Sequence, residues 1–409
     1  MQQIQSRPNY SNASHPFPEA EFGAMKHPIS IAESLATRFE QTAVERDKRG
    51  GTAKAERDLL RDSGLLTLSV PEEFGGGGAP WTDILKIVRI FARVDSSIAQ
   101  LFGFQHLMLA TVELFGNEQQ REYYYRRTVE SRWFWGNALN PLDVNTQATP
   151  HADGTLRING RKGFSTGSVD SDALIVSALL DGKLIVTAVP SNRAGIHILG
   201  DWDNMGQRQT DSGTVEFSNL VIEQGEVLRS PGPLGSIRAS LRPCLAQSII
   251  ANVYLGLAEG ALAEARDYTR TQTRPWLASG VDRPQEDPYI LSHYGTMWLE
   301  LQAAKSLTNL AAEAFQRAWD EGEALTENQR GRCALDIAAA KAITTQAGLD
   351  VCNRMFEVMG SRATSTSARL DRFWRNLRTY TLHDPVDYKI RELGDWALNT
   401  RIPNPSFYS

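Results

Sequence analysis

The sequence is poor in the features that mark several functional classes. It has three cysteines in 409 residues. Cys244, Cys333 and Cys352 sit in apolar helical patterns without metal-type spacing, so no metal site is expected and they read as buried thiols of a reducing, cytoplasmic compartment. Positive charge is not in excess: 43 Lys and Arg against 48 Asp and Glu give a net charge of −5, which argues against a nucleic-acid partner. No apolar run approaches the ~18 residues that a membrane helix needs, so no membrane association is expected. The polar opening, residues 1–28, lacks the apolar core of a signal peptide and reads as a loose arm. No dinucleotide fingerprint for a nicotinamide cofactor is present. The run Gly75-Gly76-Gly77-Gly78 has no Lys-Ser or Lys-Thr after it and no strand-to-helix context, so it reads as a turn and not as a phosphate cradle.

What is present is an ordinary globular composition, 41% hydrophobic and 22% charged, over a length that suits two or three domains. Residues 29–136 carry helical periodicity, with Ile31, Leu35, Phe39 and Ala43 at i, i+4 spacing. Residues 137–234 change character. Ala173 to Ala178 and Leu184 to Val189 are short apolar runs separated by Gly, Asp and Asn, the pattern of a small antiparallel barrel or sandwich. After Pro231-Gly232-Pro233 helix returns over 235–409 in long stretches: Leu241 to Arg274, Pro288 to Glu321 and Glu327 to Met359, then two shorter ones. These suit an antiparallel bundle and subunit association. The fold class expected is therefore α+β: a helical N-terminal domain, a central β-domain and a C-terminal four-helix bundle.

Two glycine-rich passages lie in the β-region: Phe164-Ser165-Thr166-Gly167 with Asp172, and Gly206-x-Arg208-x-Thr210-Asp211-Ser212-Gly213 leading into Val215-Glu216-Phe217. Glycine lets backbone approach a flat ring, and Ser or Thr offers small donors to ring nitrogens and oxygens; equally, such glycines can serve only as hairpin turns. Together with Pro71-Glu72-Glu73-Phe74-Gly75-Gly76 they resemble the acyl-CoA dehydrogenases, in which this domain covers a flavin. Ala251-Asn252-Val253-Tyr254-Leu255-Gly256, Tyr268 to Trp276, and Asp371-Arg372-Phe373-Trp374-Arg375-Asn376 through His383-Asp384-Pro385 are similar to the flavin-dependent dibenzothiophene monooxygenase group. That group shares the fold but oxygenates with reduced FMN and oxygen. The similarity runs from about Ala43 to the end of the chain.

The resemblance implies two tests. Acyl-CoA dehydrogenation needs a carboxylate base beside the flavin. The family's Tyr-Glu-Gly-Thr place is here His383-Asp384-Pro385-Val386, and the alternative Glu falls near Ile237, so oxygenase is favoured. The family's Gln-x-x-Gly-Gly-x-Gly stretch, which admits a pyrophosphate, is here Glu357 to Ala363. Arg362 would block a dinucleotide tail yet could hold a terminal phosphate in bidentate fashion, which favours FMN over FAD.

By resemblance Phe104, Asn137, Lys162, Gly163, Phe164, Ser165 and Thr166 line the flavin ring, Arg274, Ser361 and Arg362 hold its phosphate, and His383 stands at its reactive edge. Thr166, Asn137 and His383 are the expected catalytic groups, with Gln100 and Trp202 walling the substrate pocket. A flavin hydroperoxide needs excluded water and a nearby donor, which Thr166 and His383 can supply. The sulfur monooxygenases carry His and Tyr where this chain has Gln100 and Phe104, so the pocket is expected to be less polar. The implied activity is FMNH2-dependent oxygenation of a small sulfide, sulfoxide or sulfone by a homotetramer, with a separate NAD(P)H:FMN reductase as partner. Two rivals stand beside it: an FAD-dependent acyl-CoA dehydrogenase, and a catalytically retired flavin-binding member.

Overall fold

A computed structural model describes residues 27–141 and 143–409. The loose arm expected at 1–28 lies outside the described residues except for His27 and Pro28, and Pro28 opens the first helix. The N-terminal block consists of α1 (Pro28–Arg49), α2 (Lys54–Asp62), α3 (Trp81–Val94), α4 (Ser96–Phe115) and α5 (Glu118–Ser131). Asp95 accepts from the Ile98 backbone at 3.0 Å and starts α4. Asn117 and Gln120 form a reciprocal capping box that starts α5. The C-terminal block holds α6 (Leu241–Thr271), α7 (Pro288–Asp320), α8 (Glu327–Met359), α9 (Asp371–Tyr380) and α10 (Val386–Asn399). Central to it is α6, packed against α8 and α7 on one side and against α3 and α4 of the N-terminal block on the other.

Every residue of α4 except Glu113 is buried. This corrects one expectation from the sequence: among the described residues α4 and α6 are both long and apolar enough to cross a membrane. Their apolarity has a different cause. Each is enclosed by its neighbours, α4 by α3, α6 and β1, and α6 by α8, α3, α4 and α7, so no polar face is required.

Between the helical blocks lies one seven-stranded sheet, comprising β1 (Trp135–Ala138), β2 (Gln147–Pro150), β3 (Leu156–Lys162), β4 (Ala173–Leu180), β5 (Lys183–Pro190), β6 (Ile196–Ile198) and β7 (Val215–Ile222). Asp181-Gly182, both with positive φ, turn β4 into β5, as a tight hairpin requires. The antiparallel pairing expected holds for β2–β3, β3–β7, β4–β5 and β6–β7, whereas β1 and β2 run parallel to β4. Parallel neighbours need long crossovers, and the chain between β1 and β4 is long enough to supply one. The run over β4 is apolar at every position but Ser177 because both its faces are buried. Ala173 and Ile175 join the helical core, while Leu174, Val176 and Ala178 join the core of the sheet itself.

The second glycine-rich passage joins the blocks. Asp211 receives Arg57 Nη1 at 2.9 Å, and the Arg57 guanidinium lies 4.0 Å from the centre of the Phe134 ring. Gly206 sits so close to α9 that a Cβ there would stand 2.1 Å from the Arg375 carbonyl oxygen. The next residue, Gln207, donates its backbone N–H to Asn376 Oδ1 at 2.8 Å. Two of the segments that carried the resemblance are thus packed on one another.

Candidate active site

Where the sheet, α4, the first turns of α6 and the segment after α9 meet, they enclose a cavity of about 520 Å³, within the ~300–1,000 Å³ of small-molecule sites. Seven of the residues singled out in the sequence line it: Gln100 and Phe104 from α4, Asn137 from β1, Phe164 and Thr166 from the loop after β3, Trp202, and His383. Each place follows from local structure. Gln100 and Phe104 are one turn apart on α4 and so share a face. The Asn137 backbone N–H donates to the Thr166 carbonyl at 2.9 Å, which ties the loop to β1. Phe164 has a φ of 55°, and its mostly exposed ring stands edge-on to Trp202 at 6.0 Å.

A chain of amides and hydroxyls runs under this wall. Thr166 Oγ1 shares a hydrogen bond with Ser212 Oγ at 2.9 Å and accepts from Gln100 Nε2 at 3.1 Å. Gln100 Oε1 accepts from Gln207 Nε2 at 2.8 Å, and Ser96 Oγ donates to Gln207 Oε1. Trp202 Nε1 donates to the Gln207 carbonyl at 2.7 Å. Gln100 therefore orients the Thr166 hydroxyl, a role that its residue type alone did not reveal.

The opposite wall is built on a buried ion pair. His383 Nδ1 lies 2.8 Å from Asp384 Oδ1, and the same oxygen accepts from Lys341 Nζ at 3.0 Å and Gln247 Nε2 at 3.3 Å. Lys341 Nζ also donates to Gln247 Oε1 at 2.8 Å. Burial by itself would raise the Asp384 carboxyl, but the His383 hydrogen bond and the Lys341 ammonium outweigh it and hold the group well below the usual carboxylate range. Burial lowers Lys341, with Asp384 opposing. Among the described residues no Asp or Glu lines the cavity, and the neighbouring carboxylate, Asp384, is spoken for. A base able to take an α-proton from an acyl thioester has no candidate in this wall.

The remaining expected residues lie elsewhere. Lys162 is buried and gives its ammonium to the carbonyls of Asn140 and Asp143, at 3.2 and 2.6 Å. Ser165 Oγ donates to the Lys162 carbonyl, and neither it nor Gly163 lines the cavity. Arg274, Ser361 and Arg362 are exposed, and the structure gathers them at one place: Arg362 Nη2 donates to the Gln272 carbonyl at 2.8 Å, and Thr273 Oγ1 to the Met359 carbonyl at 3.1 Å. That place is past the far end of α6, whose first turns supply Arg242, Ala246 and Gln247 to the cavity. At 1.5 Å per residue the two ends of α6 are roughly 40 Å apart.

Sequence reasoning missed Lys341, Gln247, Arg242 and the cavity-lining pair Phe407 and Tyr408. A signal existed for two of them. Lys341 stands within Ala338-Ala339-Ala340-Lys341-Ala342-Ile343 and Arg242 within the opening of an apolar helix, and a charge inside an apolar pattern asks for a partner.

The residues present fit a flavin. The sheet-side wall offers hydroxyl and amide groups to ring heteroatoms, Phe104, Phe164 and Trp202 offer flat apolar contact, and no carboxylate opposes an electron-rich reduced ring.

The fold and this site define a flavoprotein of the acyl-CoA dehydrogenase type. Family models for the N-terminal, middle and C-terminal domains of acyl-CoA dehydrogenase match residues 30–132, 137–220 and 248–388. The chain belongs to the acyl-CoA dehydrogenase family, in its monooxygenase branch. It is 54% identical to a probable FMNH2-dependent monooxygenase, SfnC, of Pseudomonas putida, with 93% of this chain and 97% of that protein covered. It is 43% identical to a dibenzothiophene monooxygenase of Rhodococcus erythropolis, covering 93% and 95%. Among solved structures, methanesulfinate monooxygenase MsuC from Pseudomonas fluorescens superposes with a TM-score of 0.93 at 51% identity, covering 94% and 100%. TdsC from a Paenibacillus species, solved with FMN and indole, gives 0.90 at 42%, covering 93% and 100%. A putative acyl-CoA dehydrogenase of Bacillus subtilis, by contrast, is 26% identical. The dehydrogenase alternative is set aside by these relatives and by the carboxylate-free wall.

Proposed function

We propose that the protein is the oxygenase of a two-component system, taking reduced FMN from a separate NAD(P)H:FMN reductase and transferring one atom of dioxygen to a small organosulfur compound. The observation that carries this reading is the cavity: hydroxyls and amides on one wall, a histidine on the other, and no carboxylate between. When bound, reduced FMN supplies the two electrons that reduce the second oxygen atom to water. The chain's own groups do the rest. Thr166 Oγ1, oriented by Gln100 and Ser212, offers a hydrogen bond at the ring. His383, with Nδ1 tied to Asp384, presents Nε2 as the nitrogen free to hold or move a proton. Leu107, Leu139 and Phe407 exclude water.

Arg274, Ser361 and Arg362 hold the flavin phosphate in this reading. A mononucleotide cannot reach from the cavity to the far end of α6, so the phosphate grip comes from a second copy of the chain. This supports a homotetramer or another symmetric assembly. Exposed Trp298, Leu299, Leu291 and Leu310 on α7 provide apolar surface for it. A reducing, cytoplasmic setting fits the three free cysteines.

Titration with FMN and FAD, followed by anaerobic mixing with an acyl-CoA, tests the reading. FMN is expected to bind at least tenfold more tightly than FAD, and the acyl-CoA to leave the flavin oxidised. Bleaching of the flavin by the thioester would refute the proposal.

A further inference from the structure

Arg242 is the guanidinium of the cavity wall, and among the described residues it has no counter-ion. It is 7% exposed, and its hydrogen bond runs from Nε to Thr111 Oγ1 at 2.7 Å. Among the described residues no carboxylate pairs with it, and burial in the wall pulls the guanidinium down to about 10. Other buried guanidinium groups of this chain spend more of their donors inside the protein: Arg57 on Asp211 and the Gly167 carbonyl, Arg89 on Asn252 and Asn309, Arg330 on the Ser240 hydroxyl and carbonyl. An unpaired buried cation is costly to keep, and a lining with no Asp or Glu leaves its remaining N–H donors free for a ligand. Next to it the wall offers the amide of Gln247, while Ala246 and Phe407 are apolar.

We propose that Arg242 is the specificity residue of the site and that the substrate is an organic anion, a small alkane- or arenesulfinate, whose oxygens take the free guanidinium donors while its carbon group lies on the apolar wall. This rests on the oxygenase reading and sharpens it: a neutral sulfide, sulfoxide or sulfone leaves Arg242 unmatched. The reaction balances. One oxygen atom bonds to the sulfinate sulfur as the O–O bond breaks, the sulfur gives up two electrons to become a sulfonate, and the other oxygen atom leaves as water with two electrons and two protons from reduced FMN. The charge on the organic group is unchanged, so Arg242 serves substrate and product alike.

Calorimetric titration of the FMN-loaded protein with methanesulfinate and with dimethyl sulfone, a neutral analogue of similar size, tests the proposal. Wild type is expected to bind the sulfinate at least tenfold more tightly than the sulfone. Arg242→Met is expected to lose about 30- to 100-fold for the sulfinate and less than about threefold for the sulfone, since a charge-assisted bond is lost in one case only. Arg242→Lys recovers part of the loss, which separates recognition from misfolding. The proposal fails if wild type prefers the sulfone or if Arg242→Met binds the sulfinate as wild type does. It fails too if Arg242→Met loses FMN while keeping the sulfinate, because the guanidinium then serves the flavin phosphate. Should the titrations behave as expected while no sulfur compound is oxygenated, the anion site stands and the oxygenase reading falls.

Discussion

Removing the Lys341 ammonium is the sharpest perturbation of the site's architecture. Lys341 is fully buried and lies 3.0 Å from an Asp384 carboxylate that is itself only 7% exposed. At an effective dielectric of about 20 the gross attraction of such a pair is about 5 kcal/mol, and stripping one partner from a buried pair costs about 3–5 kcal/mol because the other is left uncompensated. Lys341→Met is therefore expected to destabilise by about 3–5 kcal/mol. Asp384→Asn keeps an acceptor for His383 while removing the charge, so Lys341→Met with Asp384→Asn should lose less than about 1.5 kcal/mol. Urea unfolding followed by circular dichroism, on the two single variants and the double variant, reads the difference.

The pH dependence has a definite sign. The folded Asp384 carboxyl lies below its unfolded value of about 3.9, so its contribution is complete above about pH 5 and fades as acid protonates it. The gap between wild type and the double variant should be flat from pH 5 to 8 and shrink below about pH 4. Additive effects of the single substitutions, or a gap that grows in acid, would show that the two groups do not act as a unit.

The other outcomes are more direct. His383→Phe is expected to keep FMN affinity within about twofold while oxygenation falls by about 10²–10⁴; unchanged turnover in single-turnover mixing would remove His383 from the chemistry. Thr166→Val, which deletes the hydroxyl between Gln100 and Ser212, should lower turnover by about 10²-fold, and a loss confined to KM would reassign it to binding. Arg274→Ala and Arg362→Ala should each raise the FMN dissociation constant about tenfold or more, measured by flavin fluorescence; no change in either would leave the phosphate held elsewhere. Arg57→Met abandons buried Asp211 at the seam between α2 and the sheet, and about 3–5 kcal/mol of stability should be lost. A melting temperature equal to that of wild type would contradict this.

Much of the architecture was legible because its signals are local. The helices start and stop where Pro, Gly and capping residues stand, as Asn117 and Gln120 show for the start of α5, and Asp181-Gly182 announces the β4–β5 hairpin. Strand direction was not legible. The parallel pairing of β1 and β2 with β4 depends on where crossovers land, which period-2 patterning does not encode. At the site the fold brings Gln100, Phe104, Asn137, Phe164, Thr166, Trp202 and His383 around one cavity. What escaped were residues whose importance is a relation between distant elements. Lys341 and Asp384 are 43 positions apart, Gln207 and Gln100 are 107 apart, and Arg242 matters for the partner it lacks. The separation of Arg274, Ser361 and Arg362 from the cavity was equally hidden, since a motif says what a residue can hold and not where the fold places it.

The central claim is oxygen transfer by a carboxylate-free, flavin-binding chamber. The direct measurement is mass spectrometry of the product formed when the protein, photoreduced FMN and an organosulfur substrate meet isotope-labelled dioxygen in unlabelled water. One labelled oxygen atom is expected on the sulfur product. A product whose added oxygen comes from water, or label recovered only as hydrogen peroxide, would contradict it.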